Sequence, residues 1–428
     1  MGMKAYPTYK DSGVQWLAEM PSSWNVFPAK QVFADSKERR RTDDTFLTAS
    51  QKYGVISQQR YMQLIGGRIV QASQDFDKWK HVEPDDFVIS LRSFQGGLEM
   101  CAERGCVTWH YVVLKPKMDI IPLYFKWLFK SFSYIKSLQS TCNFIRDGQD
   151  LRYSNFVQVP IPFPPLTEQK AIASFLDKKC AEIEELISRR QSIIERLREL
   201  KQSIIAEAVT KGLNPDVPMK ESGIAWMPEV PEHWERYRLP QVLKNVSVTG
   251  SDTDELLSVY LDRGVIKHSD SDGSQVHKPS KDMSAYQKVV PGDLVCNNQQ
   301  AWRGSVGVSS YEGRISPAYI IFKLTPNLYP EYANYLFRSQ AWNPAFVYSS
   351  KGVGSIQRNL YLPWLRQFTC YLPSISEQKD IVQDLDKKCA EIDELITRHE
   401  QTIEKLKELK TSTIANVVTG KVDVRESI

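Results

Sequence analysis

Residues 176–187 read LDKKCAEIEELI, and residues 385–396 read LDKKCAEIDELI, with Glu184 replaced by Asp393 as the single change. Around the first copy apolar residues recur at heptad spacing. Leu176, Ile183 and Leu197 fill one seam position, with Arg190 at the same register, and Leu186, Ile193 and Leu200 fill the other. The second copy repeats this with Leu385, Ile392 and Leu406 around His399, and with Leu395 and Leu409. Ile187, Ile194, Ile396 and Ile403 widen both stripes. Arg190 and His399 are read either as polar residues that set a register or as solvated rim positions. Thr167 and Ser376, after PPL and PSI, are expected N-caps, each followed by a Glu that suits the positive end of the helix dipole. Two helices of about 44 residues, each roughly 66 Å long, follow from the spacing.

The repeat extends beyond the helices. KDSGVQWLAEMPSSW (residues 10–24) matches KESGIAWMPEVPEHW (residues 220–234), VEPDDFVIS (82–90) matches VVPGDLVCN (289–297), and YFKWLFKS (124–131) matches YANYLFRS (332–339). The segments keep one order, so the chain is a tandem of a globular part and a long helix, written twice. Residues 31–82 share little with residues 241–289, whereas the helices are nearly interchangeable. Two similar helices related by a pseudo-twofold axis run antiparallel and form a self-complementary strut. Their wide stripes leave room for helices from other subunits. The globular parts are expected to be mixed α/β. DFVISL, CVTWHYVVLK, DLVCN and PAYIIFKL read as strands, and LYFKWLFKSF and YANYLFRSQAW as short helices, giving a twisted sheet with helices on one side.

A chain of 428 residues exceeds one core. With 42% hydrophobic and 25% charged residues and no run near the roughly 20 apolar residues that cross a bilayer, it reads as soluble, without a membrane role. MGMKAYPTYKDSG does not resemble a secretory signal, and seven cysteines without a CxxC pair suit reduced thiols, so a cytoplasmic protein is expected. The net charge of +4 hints weakly at a polyanion, with the basic excess outside the helices.

Signals for chemistry are negative. NPAF (residues 343–346) lacks the second proline of the amino-methyltransferase loop, and SFQGG (residues 93–97) lacks the spaced glycines of a methyl-donor site. Neither HExxH nor a phosphate-cradling GxxxxGK[ST] loop is present, and Pro84 and Asp85 have no nuclease partner motif, so neither a bound metal nor a cofactor is expected. What repeats in kind is a strand followed by amides, Arg and Gly: Arg92, Ser93 and Gln95 in the first half, and Asn297, Asn298, Gln299, Gln300, Trp302 and Arg303 in the second. Asn and Gln pair with adenine edges and Arg with guanine edges, which is base-reading chemistry. Further candidates are Arg39, Arg40, Arg41, Gln58, Arg60, Arg146 and Arg152, and then Lys267, Lys351, Gln357 and Arg358. Ordinary surface exposure is the competing explanation for each.

Two variable globular parts separated by near-identical helices resemble the specificity subunit of Type I restriction-modification systems. The resemblance spans essentially the whole chain and rests on SGVQWLAEMPSSW and SGIAWMPEVPEHW, with PPLTEQKAIASFLDKKCAEIEELI and PSISEQKDIVQDLDKKCAEIDELI. It implies target recognition domains at residues 1–165 and 213–374, a spacer helix at 166–212, and a second spacer helix with a C-terminal tail at 375–428. It also implies a non-catalytic subunit that reads a bipartite, asymmetric double-stranded DNA target. Two modification (methyltransferase) subunits and the restriction (translocase/endonuclease) subunits would be its partners, and S-adenosylmethionine, ATP and Mg would be bound by those partners, not by this chain. The competing classes are a stand-alone DNA-modifying enzyme and an architectural coiled-coil scaffold.

Overall fold

Two helices dominate the element order, Leu166–Lys211 and Ile375–Val418, in a computed structural model that describes residues 4–69, 75–90, 97–141, 151–251, 253–271, 280, 282–352 and 358–426. The first helix begins directly after Pro165, so Thr167 sits inside its first turn and does not cap it. The second is capped by Ser374, whose Oγ accepts the Glu377 N–H at 3.3 Å, and not by Ser376. Each helix starts as soon as the prolines upstream permit, one turn position before the expected cap.

The seam also differs from the expectation. Along the first helix Leu176, Cys180, Ile183, Ile194 and Ile205 are buried, with Ile187, Arg190, Leu197 and Lys201 half-buried. Leu186, Ile193 and Leu200 are instead 47%, 40% and 50% exposed. The second helix repeats this: Leu385, Cys389, Ile392, Ile396 and Ile403 are buried, and His399, Leu406 and Lys410 half-buried, while Leu395 and Leu409 are exposed. Cysteine explains the one-residue shift. Cys180 and Cys389 act as small hydrophobes four residues after the first seam leucines, which puts the second seam position at 180, 187, 194 and 201.

The chain forms two units, residues 1–190 with 401–428, and residues 191–400. Both are mixed α/β, and both contain packed stretches of the two long helices. In the first unit Leu176 and Cys180 share a core with Ile414, Val417 and Val418, and Lys410 Nζ meets Glu184 at 2.5 Å. In the second, Ile205, Ala208 and Val209 share a core with Ile381, Leu385 and Cys389, and Lys201 Nζ meets Asp393 at 2.7 Å. Within each unit rising numbers on one helix meet falling numbers on the other, so the packing is antiparallel.

Each unit is built on a four-stranded antiparallel sheet of one strand order. In the first it runs Phe33–Ser36, Val112–Pro116, Phe87–Ile89, Leu98–Met100, and in the second Leu243–Val246, Tyr319–Leu324, Leu294–Asn297, Val306–Val308. Strand periodicity of two divides each sheet between two cores. Phe87, Ile89 and Leu114 face the large core with the helix Pro122–Lys130, whereas Val88 and Val113 face a smaller core with Leu47, Val55 and Val107. Leu294, Cys296 and Phe322 against Val295 and Ile321 repeat the division. Burial on both faces is why DFVISL and DLVCN read as unbroken apolar runs. The helices of the large core lie on one side as expected, and a hairpin, Leu47–Ser50 with Gly54–Ser57, covers the other side in the first unit and carries the helix Gln58–Ile65 with it. CVTWHYVVLK is not one strand: Gly105–Val107 and Val112–Pro116 are separated by a turn.

The repeated motifs hold these parts together. Glu168 accepts the Trp24 Nε1–H at 2.8 Å and the Tyr6 hydroxyl, while Glu377 accepts the Trp234 Nε1–H at 3.0 Å and faces His233 Nε2 at 2.9 Å. Gln169 Oε1 accepts the Ile121 N–H at 2.9 Å, and Gln378 Oε1 accepts the Tyr329 N–H at 2.7 Å. The residues Glu and Gln of TEQ and SEQ are thus latches between helix and globular part. After the second helix the chain returns to the first unit, where Val422 and Val424 enter the core and the Asp423 N–H donates to Lys4 O at 2.8 Å.

Candidate nucleic-acid interface

In the second unit the strand Leu294–Asn297 runs into a loop that ends in the turn Ala301–Arg303, and Gly304 then takes a left-handed conformation (φ 95°) to return the chain to Val306–Val308. Asn297 Oδ1 accepts the Gln299 N–H at 3.0 Å, and Gln299 O accepts the Trp302 Nε1–H at 3.0 Å, so the amides order the loop around the indole. The guanidinium of Arg303 lies 5.2 Å from the Trp302 ring centre and that of Arg358 lies 5.0 Å from it. The Leu360 N–H donates to Asn298 O at 2.9 Å, joining the short strand Asn359–Leu360 to this loop. Lys351, on the strand Ser350–Lys351 paired with it, sits 3.9 Å from the Tyr361 ring and 4.1 Å from that of Trp364. Tyr361 and Trp364 are both 40% exposed.

Six of the expected residues therefore converge: Asn297, Asn298, Gln299, Trp302, Arg303 and Arg358, with Lys351 and Gln300 adjoining. Stacking on rings fixes the cation planes at little entropic cost, at about 0.5–1 kcal/mol per contact at exposed sites. Lys267 lies apart on the hairpin strand Gly264–Lys267, 3.6 Å from Glu255. Tyr361 and Trp364 escaped the sequence reading, because two aromatics beside Leu and Pro look like core.

The first unit handles its cations differently. Arg41 pairs with Glu38 at 2.6 Å and Glu83 at 3.2 Å, and Arg60 pairs with Glu103 at 3.1 Å. Lys115 and Arg41 together hold the Glu38 carboxyl down at about 2. Arg39 donates to Lys78 O at 2.8 Å, and Arg40 lies over Phe46 and Phe76 at 5.7 and 5.9 Å. Gln58 is half-buried, with its Nε2 3.5 Å from Leu47 O, and Arg152 precedes the helix Tyr153–Phe156. Arg92, Ser93, Gln95, Arg146 and Gln357 lie outside the described residues. Among the described residues no cluster of His, Cys, Asp or Glu is arranged to hold a metal ion, and no helix is long and apolar enough to cross a membrane.

Residues 21–196 match the Type I restriction modification DNA specificity domain family. The Type I restriction enzyme MjaVIII specificity subunit of Methanocaldococcus jannaschii is 23% identical over 370 residues, 80% of this chain and 80% of that protein. The chain is similar to Type I restriction-modification specificity subunits. The EcoBI specificity subunit of Escherichia coli is 24% identical over 282 residues, 61% of this chain, and the match spans 58% of that relative's length. Two solved structures share the fold of this chain at 15% identity. A chain from a complex of the type I R-M system gives a TM-score of 0.69, covering 94% of this chain and 99% of its own, and the HsdS subunit from Thermoanaerobacter tengcongensis gives 0.52, covering 94% and 98%.

Proposed function

We propose that this chain is a specificity subunit that reads a bipartite, asymmetric DNA target, with residues 1–165 recognising one half-site, residues 213–374 the other, and the two long helices setting the gap. The observation that carries this reading is the cluster around Trp302: amides, an indole and arginines gathered on one loop system supply both base-edge donors and phosphate-binding charge. The unlike residues of the two units, Arg303 and Arg358 over Trp302 in one and Arg41 and Arg60 paired with carboxylates in the other, support unlike half-sites. A scaffold without DNA affinity has no use for such a cluster.

The exposed leucines of the helices support the partner reading. Leu186 and Leu409 in the first unit, and Ile193, Leu200 and Leu395 in the second, are apolar positions at heptad spacing on faces turned away from the seam. They suit docking by helices of two modification subunits, which bind S-adenosylmethionine, with restriction subunits supplying ATP- and Mg-dependent translocation and cleavage. Exchanging residues 1–165 for those of a relative tests the partition: one half-site should change. A change in both halves refutes it.

A further inference from the structure

Between the strands Gly105–Val107 and Val112–Pro116 the first unit makes a tight turn, with the Tyr111 N–H donating to Thr108 O at 3.1 Å. Lys80 Nζ anchors it by donating to Tyr111 O at 2.6 Å. The second unit builds the same turn from different residues. The Tyr319 N–H donates to Ser316 O at 3.1 Å, and Gln287 Nε2, at the place of Lys80, donates to Tyr319 O at 2.9 Å. In that unit the tip is Pro317 and Ala318, and Ala318 O accepts the Asn298 N–H at 3.3 Å. The tip of this turn therefore lies against the loop that carries Trp302 and Arg303.

In the first unit the tip is Trp109 and His110. Their rings stack with centres 3.5 Å apart and 28° between planes, and both side chains are exposed, Trp109 at 43%. A large indole left in solvent on a doubly anchored turn has no role in the core. In the second unit an aromatic, Trp302, stands on the loop that adjoins the tip, and in the first unit one stands on the turn itself.

We propose that Trp109 and His110 are specificity-determining residues of the first unit, contacting base edges of double-stranded DNA. This rests on the DNA-reading function proposed above. A histidine nitrogen suits purine N7 or O6, and an indole face suits the thymine methyl. Being stacked on a short turn, the pair loses little conformational freedom on binding. A contact to base edges leaves the count of neutralised phosphates unchanged, so it contributes to discrimination and not to salt dependence.

The test uses the full chain assembled with its modification subunits, with W109A, H110A and the double variant compared with the parent in competition between the target and single-base variants of each half-site, at several salt concentrations. The expected result is loss of discrimination by roughly tenfold or more at one or two base pairs of the half-site read by residues 1–165. The other half-site, the salt slope and the thermal midpoint should be unchanged. An even loss on all duplexes with a shallower salt slope, a change confined to the other half-site, or no change would each overturn the proposal. A parent complex that binds every duplex alike would refute the DNA-reading function itself, which is a different failure.

Discussion

Glu99 is 3% exposed on the central sheet of the first unit, beside Lys130, and burial outweighs the ammonium and holds its carboxyl up at about 7. Below about pH 4.5 both folded and unfolded chains carry this proton. Between there and pH 7 the unfolded chain loses it first, so stability falls across that window and levels off above it. Glu99→Gln should remove this component: the difference in thermal midpoint, variant minus parent, should rise from pH 4.5 to 7. Parallel profiles would show that Glu99 is already ionised in the fold. At the proposed reading surface, Arg303→Ala should weaken specific binding by about 1–3 kcal/mol if the guanidinium meets a base, and a uniform loss across sequences would make it a phosphate contact. Its place beside Trp302 was legible, because Asn, Gln, Trp and Arg crowd one short loop. Trp109 and His110 were not, because the turn between Val107 and Val112 has no Gly, Pro or Asn and sits within an apolar run, so ten residues read as a single strand.

The helices were legible as elements and less so as surfaces. Adjacent apolar pairs such as Leu186 with Ile187, and Ile193 with Ile194, satisfy two registers equally well, and only the cysteines decide between them. The seam through Ile187 and Ile194 makes a direct prediction. Ile194→Ser should lower the thermal midpoint, whereas Ile193→Ser should leave it unchanged and weaken co-purification of the modification subunits. The reverse pattern would restore the expected seam. The single difference between the repeated motifs falls on a working contact, since Glu184 and Asp393 each receive the lysine that occupies the matched position on the opposite helix, Lys410 and Lys201. Double-mutant cycles on these half-exposed pairs should give about 0.2–1 kcal/mol each. Glu168 has more at stake, because Glu168→Ala strands two buried donors, at about 1–3 kcal/mol each, whereas the exposed His233 beside Glu377 can turn to water.

At the scale of the molecule, duplication conserves a fold while its sequence diverges. Residues 31–82 and 241–289 share few letters, yet each supplies the outer strand of the same sheet order and the same flanking hairpin, and beyond them Gly105 and Gly313 are matched where a Cβ would strike the carbonyls of Thr45 and Glu255 at 2.2 and 2.3 Å. What the repeat preserves are backbone approaches and helix latches, and what it frees are loop tips, which is the division a modular reader needs. Adding one heptad to both helices should then widen the gap in the target and leave the half-sites alone. The most direct test of independent reading is to replace residues 213–374 with the corresponding segment of a relative of known target and to map methylation by the assembled complex. The account predicts one half-site from each parent with the gap retained. Alteration of the half-site assigned to residues 1–165, or of the gap, would contradict it.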